Sequence, residues 1–246
     1  TFLNAPPTWE APDVVLRFGG VPTSNVLNSY LERIDAKHRI QVSADGVWAD
    51  DTHRTHLFVH ADPTLLCLSL SGRLPARPES LWAQHIRMVE AVTWLNLSQR
   101  LGDEFFDGQV VADLLDRLPD GANLFAGNSL PVRHVEQFAR PSTKHLHIFA
   151  NRGASGIDGN VSTALGLAAA TGKPTVLLVG DITLYHDMNG LLAVRNCGVD
   201  NLTIVLLNND GGGIFQRLPV SKFDPPFTEL FVMPHGLQFE HVARLY

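Results

Sequence analysis

The sequence predicts an α/β fold in which a parallel-sheet domain follows part of a smaller α/β domain. Short apolar runs alternate with helix-like periodic segments after residue 84. Runs such as 176–179 (VLLV) and 202–207 (LTIVLL) fit strands that are covered on both faces. The polar, proline-rich segment 72–80 separates these elements from an earlier group, which predicts a domain boundary there.

The elements before that boundary form a small α/β group. A short apolar run that ends in glycines predicts the first strand, and Thr23 or Ser24 offers an N-cap for the helix that follows. Alternating apolar and polar residues predict the second, half-buried strand. In chain order, we expect a strand at 14–20, a helix at 26–34, strands at 38–43 and 57–60, and an apolar segment at 64–70.

The elements after the boundary alternate between helix and strand, which predicts a parallel sheet with helices on both faces. A long helix at 81–101, closed by Gly102, and a helix at 109–118 come first. The strands are then expected at 123–126, 145–149, 175–179 and 202–207, with helices between them at 132–138, 159–170 and 183–196.

Composition narrows the class of protein. The 246 residues carry a net charge of −6 and no long basic run, which argues against nucleic acid as the main partner. The longest apolar runs fall far short of the roughly 20 residues that span a bilayer, so we expect no membrane span. Two cysteines, Cys67 and Cys197, make no disulfide scaffold and favour a cytoplasmic location. The chain begins without Met or an export signal, which is typical of a piece of a longer chain.

Polar residues follow four successive strands of the predicted sheet. Ligands of open parallel sheets bind beyond the carboxyl ends of the strands. One polar strand end is ordinary, because turns need such residues, but a series of them predicts a rim for a phosphate-bearing ligand. These ends are 127–129, 151–156, 180–181 and 208–213.

Two of these strand ends predict a metal site. Asp181 and Asn209 are 28 residues apart, the length of one helix and one strand. Mg²⁺ prefers octahedral oxygen ligands and takes few of them from protein. The Asp181 carboxylate, the Asn209 side-chain oxygen and the Gly211 carbonyl would supply the protein ligands of Mg²⁺, or of Mn²⁺. Taken alone, Asp181 also fits the N-cap of a helix, and the glycines after Asn209 also fit an ordinary loop. The spacing between Asp181 and Asn209 favours the metal site over these alternatives.

The neighbouring segments resemble one family. Gly-Asp followed by Asn-Asn resembles the thiamin diphosphate fingerprint, with Ile182 where glycine is usual. The segments around it resemble 2-succinyl-5-enolpyruvyl-6-hydroxy-3-cyclohexene-1-carboxylate (SEPHCHC) synthase, a thiamin diphosphate enzyme of menaquinone and phylloquinone biosynthesis. The resemblance is dense over 84–246 and thinner over 1–75, where LRFG at 16–19 and Pro22 resemble the middle domain. The segments that carry it are 127–133 (GNSLPVR), 151–159 (NRGASGIDG), 208–215 (NNDGGGIF) and 234–237 (PHGL).

The resemblance implies a division into domains. Residues 1–75 would be part of the middle domain, 76–83 a linker, and 84–246 the diphosphate-binding domain, truncated at its C-terminus. The pyrimidine-binding domain, with the glutamate that activates the cofactor, would lie in the parent chain or in a second subunit. We therefore expect a homodimer or homotetramer with the active site between chains, and no activity from this chain alone.

The resemblance also implies the residues that bind the cofactor. Asp181, Asn209 and the Gly211 carbonyl resemble the Mg²⁺ ligands, and Ser129 would contact thiamin diphosphate. Ile157 resembles the bulky residue beneath the thiazolium ring that bends the cofactor, although it also fits a plain core position. The residues that would line the diphosphate are Gly180, Ile182, Gly212, Gly213 and Ile214.

Substrate residues are implied in the same way. Arg133 and Arg152 resemble arginines that bind substrate carboxylates, and with Ile157 they are the candidate catalytic residues. Arginine binds carboxylates through two parallel hydrogen bonds, although exposed arginines are also common on any surface. Phe215 and Leu218 would line the side of the active site that binds isochorismate, one of the two substrates in this family, or else be core residues.

The implied reaction decarboxylates 2-oxoglutarate and adds the remaining succinyl unit to the ring double bond of isochorismate, as a transferase. Two alternatives stay open. One is another thiamin diphosphate decarboxylase or synthase, of the acetohydroxyacid type, against which Ile182 and the segment 151–159 argue. The other is a non-catalytic module that binds thiamin diphosphate and Mg²⁺, or binds nothing.

Several polar residues lie outside this pattern. His53, His56 and His60 have a spacing that would align metal ligands on a helix, but they run into a strand-like segment, which favours solvated histidines over zinc. His186 follows the Asp181 turn and would reach the cofactor region or lie on the surface. Asn25 stands where many members of the family have a basic residue. A contact from the middle domain to the substrate would therefore be missing or supplied by another residue.

Overall fold

The computed structural model describes residues 11–100 and 105–246. The chain divides at Glu104 and Phe105 into two compact units, here called unit 1 and unit 2. Both units contain a parallel sheet with helices, so the predicted α/β class is confirmed. The predicted helix end at Leu101 and Gly102 lies outside the described residues.

Unit 1 contains a parallel sheet with the strand order β1-β2-β3. Helices α1 and α2 begin with side-chain caps, because Ser24 accepts a hydrogen bond from the Leu27 N–H at 3.2 Å and Asp62 accepts one from the Leu65 N–H at 2.9 Å. The elements are β1 Val14–Phe18, α1 Asn25–Arg33, β2 His38–Ser43, β3 Leu57–His60, α2 Pro63–Ser71 and α3 Leu81–Arg100. Helix α3 begins inside the predicted linker 76–83, and the predicted domain bounds stay predictions.

Unit 2 contains a parallel sheet with the strand order β5-β4-β6-β7. Its strands are β4 Asn123–Ala126, β5 His147–Phe149, β6 Thr175–Gly180 and β7 Leu202–Leu207. Its α-helices are α4 Asp107–Arg117, α5 Leu130–Phe138, α6 Asn160–Thr171, α7 Asp181–Asp187, α8 Leu192–Cys197 and α9 Glu240–Leu245.

Both faces of the unit 2 sheet are buried at the central strands β4 and β6, whereas β5 is exposed. Successive residues of a strand point to opposite faces, and Leu124 and Phe125 of β4 accordingly belong to different core clusters. The Leu124 cluster includes Val111 from α4 and Val135 from α5. The second cluster joins Phe125 to α6 and α7. The apolar run 176–179 follows from this two-sided burial. The run 202–207, which the sequence predicts as a central strand, instead forms β7 at the end of the strand order and is only partly buried.

Several predicted element bounds differ from the structure by a few residues, and three of these differences have a clear local cause. The strand predicted at 145–149 begins at His147, because the His145 N–H donates to the Asp120 carboxylate at 2.6 Å. Helix α5 begins at Leu130, not at 132, because Pro131 fits the first helical turn. The third error is the predicted helix 183–196.

The predicted helix 183–196 is instead interrupted by a 3₁₀ turn at Met188–Leu191 between α7 and α8. A Cβ added to Gly190 would lie 2.6 Å from Ser162 Oγ, so α6 packs directly against this turn. The Asp187 carboxylate accepts hydrogen bonds from the Ser162 N–H at 2.7 Å and its hydroxyl at 3.0 Å. These contacts with α6 hold residues 188–191 in the 3₁₀ turn and so interrupt the helix.

Candidate active site

A cavity of about 140 Å³ lies at the carboxyl ends of the unit 2 strands. The residues after β4, β6 and β7 form its wall, and the loop after β5 adds Ile157. This is the edge of the sheet where parallel α/β proteins bind ligands. The predicted site residues that line it are Ser129, Ile157, Gly180, Asp181, Ile182, Asn209, Gly211, Gly212, Gly213, Ile214 and Phe215.

Asp181 is buried at the cavity wall, directly after β6. Its Oδ1 accepts a hydrogen bond from the Ile182 N–H at 2.7 Å, and its Oδ2 accepts one from the Gly211 N–H at 2.9 Å. His235 Nε2 lies 3.2 Å from Oδ2. A carboxylate has about four acceptor positions, so these bonds leave one position on Oδ1. Asp181 therefore ties the β6 and β7 ends together and keeps acceptor capacity.

His235 is oriented toward Asp181 by the backbone of its own segment. The Leu237 N–H donates to His235 Nδ1 at 2.9 Å, so the ring proton lies on Nε2 and is donated to Asp181. Asp210 Oδ1 accepts the backbone N–H groups of Gly236 at 2.7 Å and of His235 at 3.1 Å. The Gly236 bond is the main reason why the pKa of Asp210 lies below 3.8.

The glycines after β7 let the backbone pack closely beside the cavity. Gly211 has φ +130°, and a Cβ there would overlap the Val232 carbonyl oxygen, so no other residue fits. A Cβ on Gly213 would lie 2.7 Å from Asn209 Nδ2. The Asn209 side chain therefore packs over the glycine run, on the same cavity as Asp181.

Asn128 ties the loop after β5 to the end of β4. This buried residue donates from its amide to the carbonyl oxygens of Asn151 at 3.0 Å and Gly156 at 2.6 Å. Its Oδ1 accepts a hydrogen bond from Arg152 Nη1 at 2.8 Å. Because the loop is held at several points, Arg152 is fixed beside Asn128, the residue that precedes Ser129 in the chain.

Three predicted site residues, Arg133, Arg152 and Leu218, are not among the residues that line the cavity. The two arginines lie beside it. Arg133 Nη1 donates to the Ser129 carbonyl oxygen at 2.7 Å. Burial, followed by the positive charges of Arg152 and Arg217, lowers the pKa of Arg133 below its usual value. Three guanidinium groups therefore share one region. Leu218 is 47% exposed.

Known proteins resemble this chain over its whole length. Residues 131–246 match the family described as thiamine pyrophosphate enzyme, C-terminal TPP binding domain. The whole chain is 55% identical to the 2-succinyl-5-enolpyruvyl-6-hydroxy-3-cyclohexene-1-carboxylate synthase of Roseiflexus castenholzii, and 54% identical to that of a second Roseiflexus strain. It covers 42% of the length of each. With the synthase of that name from Geobacillus thermodenitrificans, 96% of the chain aligns at 44% identity and covers 40% of the relative.

Over its whole length the chain is similar to proteins named SEPHCHC synthase, and its second half matches a thiamine pyrophosphate-binding domain. It spans less than half the length of these curated relatives, so the activity, substrates and partners of the whole protein are proposals. The fold class and the resemblance predicted from the sequence are confirmed.

The cavity suits the metal-bound diphosphate end of thiamin diphosphate, the ligand named in the matching domain family. Asp181 keeps an acceptor position on Oδ1, and Asn209 adds an amide oxygen, which are the hard ligands that Mg²⁺ prefers. A Cβ on Gly180 would meet no atom within 4 Å, so a phosphate group has room to approach the backbone there.

Four polar residues outside the predicted rim and site contribute to this region: Asp107, His134, Arg217 and His235. His134 had a detectable signal, because it shares the buried face of α5 with Leu130 and Val135, where an apolar residue is expected. Arg217 had no such signal, since it lies 83 positions from its partner His134.

The remaining polar residues make separate local contacts. His56 Nδ1 accepts the Arg39 N–H at 3.3 Å, and His60 Nε2 lies 3.0 Å from the Ala44 carbonyl oxygen. Over residues 11–100 and 105–246, no group of three or more His, Cys, Asp or Glu is arranged to hold a metal ion. His186 Nδ1 pairs with the Asp158 carboxylate at 3.4 Å, and Asn25 is the first residue of α1.

Within the same described ranges, none of the helices combines the length and the apolar character needed to cross a membrane.

Proposed function

We propose that this chain supplies the diphosphate-binding part of a thiamin diphosphate- and Mg²⁺-dependent transferase that acts on 2-oxoglutarate and isochorismate in menaquinone or phylloquinone biosynthesis. One observation carries the proposal: Asp181, Asn209 and Gly211 meet on one cavity, beside a cluster of arginines. The first group suits a metal-bound diphosphate, and the second suits substrates with several carboxylates.

The cofactor would be held mainly at its diphosphate end. Asp181, Asn209 and the Gly211 carbonyl would bind Mg²⁺, which neutralises the phosphates. Ile157 lines the same cavity and would support the thiazolium ring, with Ser129 as a further contact. The diphosphate would lie against Gly180, Ile182, Gly212, Gly213 and Ile214.

When bound, thiamin diphosphate supplies an electron sink for the pair of electrons that 2-oxoglutarate retains when it loses carbon dioxide. The chain's own residues orient the substrates. Arg133 and Arg152 present guanidinium groups that bind carboxylates through paired hydrogen bonds. Phe215 packs edge-to-face on Phe231 at 5.6 Å and, with Leu218, would form the apolar side of the acceptor site.

In the overall reaction, the bond from the keto carbon of 2-oxoglutarate to its adjacent carboxylate breaks, and carbon dioxide leaves. The keto carbon forms a new bond to the ring double bond of isochorismate, and a proton completes the adduct. The arginines hold the remaining carboxylates in place while this bond forms, which is the positional part of the catalysis.

The other half of the active site would come from a pyrimidine-binding domain, in the parent chain or in a partner subunit of a homodimer or homotetramer. The glutamate that activates the cofactor would be part of that domain. The unit 2 cavity receives the diphosphate end, so we expect this chain alone to bind thiamin diphosphate weakly and not to turn over substrate.

The substrate assignment is tested on the full-length enzyme. Release of carbon dioxide from 2-oxoglutarate should depend on thiamin diphosphate and Mg²⁺ and should accelerate when isochorismate is added. Pyruvate, a monocarboxylate, serves as the matched control substrate. A preference for pyruvate over 2-oxoglutarate would exclude the proposal and would favour an acetohydroxyacid-type enzyme.

The division of labour is tested with the 246-residue chain. With saturating thiamin diphosphate and Mg²⁺, it should release no carbon dioxide from 2-oxoglutarate, and a separately expressed pyrimidine-binding domain should restore release. Turnover by the chain alone at the rate of the full-length enzyme, abolished by Asp181→Ala, would show that the proposed division is wrong.

A further inference from the structure

Arg217 lies at the end of a short helical segment that forms part of the cavity wall. The 3₁₀ helix Gly213–Arg217 follows the glycine run, and Gly213, Ile214 and Phe215 line the cavity. Arg217 comes two residues after Phe215, the residue proposed for the acceptor side. The side chain of Arg217 therefore starts beside the part of the cavity that would receive the second substrate.

A buried histidine holds the Arg217 guanidinium. Arg217 Nη2 lies 3.2 Å from His134 Nε2. A guanidinium can only donate, so Nε2 must accept, and the ring proton of His134 lies on Nδ1. His134 is therefore neutral in this arrangement. Burial is the main reason why the pKa of His134 lies below 6.5, and the charge of Arg217 lowers it further.

The His134 ring is fixed on its other sides. It is 5% exposed and packs edge-to-face against Phe138, with 5.9 Å between the ring centroids. Its Nδ1 makes no hydrogen bond and faces Asp107 Oδ2 at 4.0 Å, and Asp107 lines the cavity. A rigid, neutral acceptor of this kind fixes the direction of Arg217 and does not neutralise its charge.

The region around Arg133 carries an excess of positive charge. The charges of Arg152 and Arg217 each lower the pKa of Arg133 by more than the charge of Glu136 raises it. Guanidinium groups repel one another, and this cost is recovered when an anion binds between them. The geometry therefore favours a ligand with more than one carboxylate.

We propose that Arg217 is a third substrate-binding arginine that contacts a carboxylate of the acceptor, and that His134 is its positioning residue. The proposal rests on the proposed function. The donor and the acceptor there are both dicarboxylates, and one carboxylate leaves as carbon dioxide, so three remain to be bound. Arg133 and Arg152 supply two guanidinium groups, and Arg217 supplies the third, beside Phe215 on the acceptor side.

The kinetic test uses Arg217→Gln in the full-length enzyme, with Arg195→Gln, an exposed arginine of α8, as the matched control. For Arg217→Gln, we expect the KM for isochorismate to rise about tenfold and several times more than the KM for 2-oxoglutarate. The control should change neither value by as much as twofold. An unchanged KM for isochorismate, or an equal rise for both substrates, would overturn the assignment.

His134 is tested by rescue. His134→Leu removes the acceptor and should reproduce the selective rise in the KM for isochorismate, whereas His134→Gln keeps an acceptor oxygen and should restore most of the wild-type value. His134→Leu should add little in the Arg217→Gln background, because the two residues act as one unit. Equal effects of Leu and Gln, or additive effects in the double variant, would show that His134 has only a structural role.

A binding measurement separates this proposal from the proposed function. Calorimetry with isophthalate, a ring dicarboxylate, is compared with benzoate, its monocarboxylate analogue, on wild-type and Arg217→Gln full-length protein. Isophthalate should bind more tightly than benzoate, and Arg217→Gln should remove that difference. If the enzyme failed to decarboxylate 2-oxoglutarate but kept this Arg217-dependent preference, the proposed function would fail and the arginine site would stand. A preference that survives in Arg217→Gln would overturn the arginine site.

Discussion

The two units use the same architecture differently at the ends of their strands. Unit 1 places polar side chains next to β2, but these groups bind one another. Gln41 accepts a hydrogen bond from Arg17 and lies within reach of the Gly19 carbonyl oxygen. The Asp50 carboxylate accepts hydrogen bonds from the Thr55 N–H at 2.7 Å and the Thr52 hydroxyl at 2.9 Å. This polar network is satisfied within the fold.

Unit 2 leaves polar capacity unused. Two buried side-chain atoms of unit 2, His134 Nδ1 and Asn160 Oδ1, have no hydrogen-bond partner among the residues that the structure describes. Native proteins satisfy nearly all buried polar groups, so unsatisfied ones indicate a place where a ligand or ion completes the site. The comparison teaches that the candidate site is distinguished by what its polar groups still lack, since polar residues at strand ends occur in both units.

The largest expected effect is on cofactor binding. Asp181→Ala removes a carboxylate that both joins β6 to the glycine run and is a proposed Mg²⁺ ligand. The affinity for thiamin diphosphate in the presence of Mg²⁺ should therefore fall at least about a hundredfold. This loss exceeds the range seen for residues that only support a metal ligand. Calorimetry on the full-length protein measures it. Asp113→Ala, an exposed position of α4, is the control. Unchanged affinity in Asp181→Ala would show that the metal assignment is wrong.

A smaller effect on cofactor binding is expected at His235, whose Nε2 lies 3.2 Å from the Asp181 carboxylate. His235→Ala removes the Nε2 donor and should lower the Mg²⁺-dependent affinity for thiamin diphosphate by about 10- to 100-fold. His235→Gln places an amide donor near the same position and should recover part of the loss. The measurement is the same titration at several Mg²⁺ concentrations. Equal losses for Ala and Gln would mean that the ring acts through packing and not through its hydrogen bond.

The satisfied network of unit 1 should affect stability instead. Burial raises the pKa of Asp50, but the bonds from Thr55 and Thr52 and the charge of Arg17 outweigh it, and the pKa falls from 3.8 to about 2. Since the folded-state pKa is lowered, this stabilisation is complete above pH 3.8 and is lost as the pH falls through 2. Asp50→Ala should cost about 2 kcal/mol of unfolding free energy.

Urea unfolding of wild type and Asp50→Ala between pH 2 and pH 7 checks this. The difference between the two should be constant at neutral pH and shrink below pH 4. Asp51→Ala, an exposed neighbour, is the control and should follow the wild type. A difference that stays constant down to pH 2 would contradict the assigned role of the carboxylate.

The sequence allowed the sheet of unit 2 and much of its candidate site to be predicted, because both depend on local patterns. Apolar runs mark the strands, and residues at the carboxyl ends of parallel strands meet wherever the helices pack. Asp181 and Asn209 could therefore be paired from their spacing alone. The interruption at Met188–Leu191 could not, since it depends on the contact between Gly190 and Ser162 of another helix.

The arginine cluster shows the same limit. Arg133 and Arg152 are predicted from the motifs that carry the resemblance, but the bond between Arg217 and His134 depends on how two distant side chains are directed. Neither residue belongs to a strand end, and a polar residue at a buried helix position indicates only that a partner exists. Identifying the partner required the folded structure.

The smallest expected effects compare the same substitution at two helix starts. Ser24 caps α1 through its side chain, whereas Ser129 precedes α5 without such a bond and has φ +72° and ψ −130°, a conformation that glycine adopts without strain. Ser129→Gly should therefore raise the free energy of unfolding by about 1 kcal/mol, while Ser24→Gly should lower it by a few tenths of a kcal/mol. Urea titrations of both variants beside wild type provide the measurement. If Ser129→Gly destabilised the protein as Ser24→Gly does, the backbone at the cavity wall would not be strained, and the contrast between the satisfied unit and the unsatisfied one would not extend to backbone conformation.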